Sequence, residues 1–221
     1  MVVEKPSPLA VYPVGSYLEL NLYTLLKKDP RWADTKLHLA HRLDAETSGI
    51  LVIAKTSEAA RFLGIEFMNA RVQKKYEALV FGCPANPDGE MDFPLGYDSR
   101  SGFQTVRIHD PEKGEAAKTR YRVLWSKDDY AYLEIEPLTG RTHQIRAHLS
   151  FLGHPIVGDK IYIDVNIFCR YVLHGLEDEM LRRVKLPRLA LHASEISFKH
   201  PHDGRPMNFK SPAPDFKKGL L

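Results

Sequence analysis

The sequence predicts an α+β domain built around one largely antiparallel, mixed β-sheet with flanking helices, on three observations. Strand-like and helix-like segments are interspersed irregularly, without the steady strand–helix–strand rhythm of a doubly wound fold. Two consecutive runs alternate with period two: Thr119, Tyr121, Val123 and Trp125 against Arg120, Arg122 and Leu124, then Ala131, Leu133 and Ile135 against Tyr132, Glu134 and Glu136. Such alternation marks antiparallel strands with one buried face. Finally, no GxGxxG follows a strand and no GxxxxGK[ST] occurs, so nothing points to a nucleotide cofactor.

The elements follow in chain order. Ile50-Leu51-Val52-Ile53-Ala54 is apolar enough to be a buried strand. Ser57 can cap a helix whose Ala59, Phe62, Leu63, Phe67 and Ala70 recur at helical spacing, and residues 74–81 then read as a strand. A short strand is expected over 105–108. Thr142 can cap a helix that carries Ile145, Leu149 and Leu152 on one face and stops at Gly153. A third helix is expected within 165–184. Residues 189–193 and 196–198 are strand-like, and Asp203-Gly204 reads as a hairpin turn before Met207-Asn208-Phe209.

Length and composition set the class. At 221 residues and 43% hydrophobic the chain can bury a sizeable core, and one domain over 1–221 is expected. The net charge is +3 and the pI about 8.7, so any nucleic-acid surface must be a local patch. Cys83 and Cys169 form no CxxC, which leaves reduced cytoplasmic thiols as the expectation. No apolar run approaches the roughly 20 residues of a membrane span, and the first six residues do not form a signal peptide. Ten histidines invite a metal reading, but His200-Pro201-His202 sits in a predicted turn and no HExxH occurs. No metal is expected.

Three clusters carry candidate chemistry. His41, Arg42, Asp44, Glu46, Thr47 and Ser48 directly precede the apolar strand, where charges are costly unless paired or put to use. Alone, Asp44 is most simply a turn residue. The segment Gly140-Arg141-Thr142-His143-Gln144-Ile145-Arg146-Ala147-His148 sets two arginines across a predicted helix start, where backbone N–H groups favour anions. Tyr76, flanked by Lys74 and Lys75, offers an aromatic for stacking among cations for phosphates.

Together these segments resemble the RluA-type pseudouridine synthases, a family of RNA-modifying enzymes, over nearly the whole chain. His41-Arg42-Leu43-Asp44 with Thr47-Ser48-Gly49 is similar to the family's catalytic-aspartate motif, and residues 74–80 to its tyrosine motif. Residues 140–148, followed by Leu152-Gly153-His154-Pro155-Ile156 and Gly158-Asp159, resemble its arginine motif. Val2-Val3-Glu4-Lys5-Pro6 resembles the opening KP element, and Leu191-His192-Ala193 with residues 212–216 the closing segment.

The resemblance implies the pseudouridine synthase fold and a cofactor-free isomerisation of uridine in structured ribosomal or transfer RNA. It implies Asp44 as nucleophile or base, Arg146 as its ion-pair partner, and Tyr76 stacked on the uracil and aiding proton removal from C5. Arg42 would fill the space left by the flipped nucleotide, and Arg141 would hold phosphate. No S4-like RNA-binding domain precedes the motifs, so affinity is expected from Arg71, Lys74, Lys75 and Arg141, whereas Arg182-Arg183-Val184-Lys185 reads first as a solvated helix face. The expected protein is a cytoplasmic monomer that takes RNA as its partner. Rival readings are a non-catalytic RNA-binding module and an RNA N-glycosidase, which would need Glu46 to activate water.

Overall fold

In the computed structural model, which describes residues 1–13 and 15–220, the chain forms two compact units. The first comprises residues 1–74 and 192–213, the second 75–191 and 214–221.

At the centre of the first unit lies the predicted apolar strand, which spans Ser48–Ala54 and is buried at every position. Strand β1 (Val2–Lys5) pairs antiparallel with it, as does the short β2 (His38–Leu39). The central strand, β3, runs parallel to β10 (Leu191–Lys199), with Ser48 opposite His192 and Gly49 opposite Ala193. Gly49 has φ +113°, and a Cβ there would collide with the Ala193 backbone. Only glycine permits that approach. Strand β11 (Pro206–Lys210) returns on β10 through the predicted Asp203-Gly204 hairpin, with Gly204 at φ 71°.

Helix α1 (Leu22–Lys28) is capped by Asn21, whose side chain accepts the Thr24 N–H at 2.9 Å. Helix α2 (Ser57–Met68) lays Leu63, with the partly buried Ala59, Phe62 and Phe67, on Ile50, Val52, Ala54, Val72 and Ile196. Its cap is Thr56, which accepts the Ala59 N–H at 3.2 Å, whereas Ser57 was the expected cap. The extended backbone a cap requires falls at Thr56 (φ −139°, ψ 156°), and Ser57 is the first helical residue.

The second unit carries the antiparallel order β4 (Gln73–Phe81), β9 (Tyr130–Pro137), β8 (Lys118–Lys127), β5 (Asp88–Asp92), and a separate hairpin of β6 (Leu95–Tyr97) and β7 (Arg107–His109). Strand β9 buries Ala131, Leu133 and Ile135 as its alternation predicts. Strand β8 follows its pattern only to Val123. A β-bulge then sets Val123 opposite Leu133 but Trp125 opposite Tyr132, so Trp125 turns to the other face and stacks on Tyr132 with centroids 5.8 Å apart.

Helix α3 (Gln144–Phe151) ends before Gly153, at φ 88°, as predicted. The residue in its cap position is His143, held at φ 54°, rather than Thr142, and the His143 side chain makes no capping hydrogen bond. The single helix expected in 165–184 is two, α4 (Val165–His174) and α5 (Asp178–Val184), because Gly175 stops the first at φ 78°. The strand expected at 105–108 begins two residues later as β7. The two pieces expected in 189–198 are one strand, β10. Among the described residues no helix is long and apolar enough to cross a membrane.

Candidate active site

In the first unit, the Asp44 loop is fastened through its backbone. The Asp44 carbonyl accepts the Thr47 N–H at 3.1 Å, closing a turn. The next carbonyl, of Ala45, accepts both the Leu9 N–H at 2.9 Å and the Lys5 ammonium at 3.0 Å. Lys5 is fully buried and also donates to the carbonyls of Leu9 at 2.7 Å and Pro6 at 2.9 Å. Ser7 donates to the Glu46 carbonyl at 2.7 Å. At the front of the loop, His41 Nε2 accepts the Val52 N–H at 2.9 Å and the ring stacks on Phe67, centroids 4.5 Å apart. An acceptor at Nε2 requires the neutral imidazole with its proton on Nδ1. Burial, helped by the Lys74 charge, pushes the His41 pKa down to about 3. Behind the loop, Ser48 Oγ lies 2.9 Å from His192 Nδ1, and His192 Nε2 lies 3.1 Å from Ser211 Oγ. The Asp44 side chain is half-buried, Arg42 is exposed, and burial holds the Lys74 ammonium below its ordinary range.

In the second unit, Arg146 is buried in α3 and grips the fully buried Asp159: Nε to Oδ2 at 2.7 Å and Nη2 to Oδ1 at 2.9 Å. Burial drives the Asp159 pKa upward, but the Arg146 charge, its hydrogen bonds and the Tyr162 N–H more than offset this, leaving it below the ordinary carboxylate value. The Tyr162 ring lies 5.1 Å from the guanidinium, in cation–π range. Gly158, at φ +82°, precedes Asp159, and a Cβ there would collide with the Arg188 carbonyl.

The start of α3 is organised by a hydrogen-bond chain. The Arg141 N–H donates to Gln144 Oε1 at 3.0 Å, and Gln144 Nε2 donates to the Lys118 carbonyl and to Thr119 Oγ1, each at 2.9 Å. Thr119 Oγ1 lies 3.0 Å from His148 Nδ1, and His148 Nε2 lies 3.0 Å from the Phe93 carbonyl. The carbonyl can only accept, so Nε2 carries the proton and the threonine hydroxyl donates to Nδ1. Every member is satisfied by one neutral tautomer, in keeping with burial holding the His148 pKa down.

The remaining predicted residues divide. Tyr76 sits opposite Ile135 on the face of β4 that carries the buried Ala78 and Val80. Strand alternation puts Lys75 on the other face, 3.3 Å from Glu134, so the two residues do not point the same way. Arg141 lies outside α3 and pairs with Glu115 at 2.6 Å, with Nε donating to the Ala116 carbonyl at 3.1 Å. It is two-fifths exposed, whereas Arg146 is 9% exposed. The two arginines therefore differ in kind, one a surface cation and the other a buried one.

Comparison with known proteins settles the family. The profile of the RNA pseudouridylate synthases matches residues 1–151. The chain belongs to that family. Its sequence is 36% identical, over 100% of its own length and 61% of the other, to ribosomal large subunit pseudouridine synthase D of Nitrosomonas europaea. It is likewise 36% identical to the dual-specificity RNA pseudouridine synthase RluA of Escherichia coli K12, covering 96% of this chain and 89% of that one. Human RNA pseudouridylate synthase domain containing 4 has a similar structure, with a TM-score of 0.74 at 30% identity, over 99% of this chain and 87% of the other. The chain spans about three fifths of the length of the first of these relatives.

Sequence reasoning quoted several residues of the site without giving them a task. Lys5, His41, Gln144, His148 and Asp159 all lay within recognised motifs, and the structure gives each a partner. The available signal was the combination of polar type and apolar surroundings. Lys5, two residues past Val2-Val3, and Asp159, with Ile156-Val157 before it and Ile161 two residues after, must find partners if buried.

Proposed function

We propose that the chain is an RNA pseudouridine synthase that isomerises specific uridines of ribosomal or transfer RNA. The observation that carries the reading is the 36% identity running over 96% of this chain and 89% of a dual-specificity RNA pseudouridine synthase. In this reaction the N1–C1′ bond of uridine breaks, the uracil turns, and a C5–C1′ bond forms. The C5 proton is lost and N1 gains one. Atoms balance without a redox partner or group donor, and the reading takes no metal or cofactor.

In this reading Asp44 acts as nucleophile or base at the nucleotide. A backbone-fastened loop suits it, since the carboxylate can react while its main chain stays fixed. Arg146 supplies the positive charge that keeps Asp44 ionised, and Tyr76 stacks on the uracil and assists proton removal from C5. Arg42, exposed, fills the place of the flipped nucleotide. Lys74, Lys75 and Arg141 contribute phosphate contacts, with Lys75 and Arg141 released from Glu134 and Glu115 when RNA binds. Residues 1–221 act as one catalytic domain, as a cytoplasmic monomer whose partner is structured RNA.

The test is incubation of the protein with ribosomal and transfer RNA, followed by mapping of pseudouridine. New pseudouridine at discrete positions, absent with Asp44→Asn, is expected. Release of free uracil, or RNA binding with no conversion, would replace this reading by a glycosidase or a binding module.

A further inference from the structure

Asp159 has no task in the scheme above, although it is fully buried and bound to a residue that has one. Its two oxygens meet one whole edge of the Arg146 guanidinium, at 2.7 and 2.9 Å. The carboxylate is itself fixed, because Oδ1 also accepts the N–H groups of Ile161 and Tyr162, each at 3.0 Å. Tyr162 then offers its ring to the guanidinium at 5.1 Å. That ring is pinned by its hydroxyl, which accepts the Arg107 N–H at 2.9 Å and lies 3.2 Å from His143 Nδ1, and by packing on Leu95, Ala117 and Ala147. An edge contact and a face contact together remove the rotations open to a guanidinium.

A buried ion pair is a poor device for stability alone, since well-packed apolar side chains of similar volume often do as well or better. The forked geometry points instead to direction. We propose that Asp159 is a positioning residue which, with Tyr162, clamps the plane of Arg146 and aims its remaining terminal nitrogen, Nη1, for the charge-holding role assigned to Arg146. This inference rests on the proposed function and adds to it how the arginine is oriented. Besides Arg146, the groups that bear on Asp159 are His143, through its charge, and Tyr162, through its N–H.

The experiment uses the full chain and an RNA that it converts, with Asp159→Asn, Tyr162→Leu and Asp44→Asn compared well below their melting temperatures. Asparagine keeps the shape of Asp159 but loses the charge and one acceptor. For Asp159→Asn, kcat is expected to fall about 100-fold, the scale of a misoriented group, with RNA affinity unchanged. Tyr162→Leu removes the face contact without changing charge, so its kcat should fall by less and the acid limb of its kcat profile should move up as Arg146 is aimed less well at its partner, and it carries the test if Asp159→Asn does not fold. A folded variant that melts earlier with wild-type kcat and acid limb would overturn the clamp. Full turnover by Asp44→Asn would instead remove the reading of Arg146 on which the clamp depends.

Discussion

The Asp44 loop and the Arg146 helix are both built around a charged side chain, yet they are held by opposite means. The loop is fastened at its main chain: Lys5 and the Leu9 N–H take the Ala45 carbonyl, Ser7 takes that of Glu46, and His41 takes a strand N–H. Arg146 is fastened at its side chain, by a forked ion pair to a carboxylate with no exposure. In the first arrangement these contacts hold the main chain around a residue proposed to react. In the second, the side chain proposed to hold charge is itself a structural partner. Mutations in the two regions should therefore divide differently between stability and rate.

The largest loss of stability is expected for Arg146→Met. Breaking a buried pair from one side costs about 3–5 kcal/mol, because the Asp159 charge is left uncompensated. The pH dependence gives the mechanism away. In the wild type the Asp159 pKa is lowered, so its contribution is present above the ordinary carboxylate range and is lost as pH falls through the folded value. In the mutant only burial remains and the pKa rises, so acid relieves the strain. The melting difference between the two proteins should shrink from pH 7 toward pH 4, and a constant difference would deny that Asp159 is its source.

Lys5→Met comes next. It leaves the carbonyls of Pro6 and Leu9 without that donor, a loss of about 1–3 kcal/mol, and loosens the Asp44 loop. Its rate should drop even where the protein is fully folded, whereas a fall in stability alone would place Lys5 outside the function. His41 offers a pH test of the same region. Its folded pKa, near 3, lies below the ordinary 6.5, so the unfolded chain takes up the proton first and stability is lost as pH falls below about 6.5. Replacing His41 by Leu should flatten the stability profile over that interval.

Arg141→Met should cost less than about 1 kcal/mol, since it removes an exposed pair with Glu115. It should appear instead as weaker RNA binding and a flatter dependence of affinity on salt. Asp44→Asn keeps the shape of the side chain in a loop whose main chain is fastened elsewhere, and its main effect is expected on rate rather than on stability. The same variant should lose turnover altogether, with RNA affinity retained. Early melting of Asp44→Asn would erase the contrast between the two regions.

Much of the architecture was legible because burial and period leave a record in residue order. The alternation in residues 131–135, the apolar run at 50–54 and the stop at Gly153 reappear as β9, β3 and the end of α3. Features with a weak or misleading record were missed. Strand β5, Asp88–Asp92, buries only Met91 and reads as a polar loop. The bulge after Val123 reverses an alternation that looks unbroken, and Thr142 resembles a cap where His143 in fact adopts the left-handed conformation.

For the candidate site, the sequence by itself determined the family, through motifs whose residue types and spacing agree along most of the chain. It also determined which side chains are available for chemistry. Only the tertiary structure decided their partners: Asp159 for Arg146, Glu115 for Arg141, and the Ala45 carbonyl for Lys5. The reason is physical. Secondary-structure periodicity acts between near neighbours and can be read along the chain, but a buried charge is satisfied by whatever the fold brings within 3 Å. Lys5 and Ala45 are 40 residues apart, and no local pattern records that meeting.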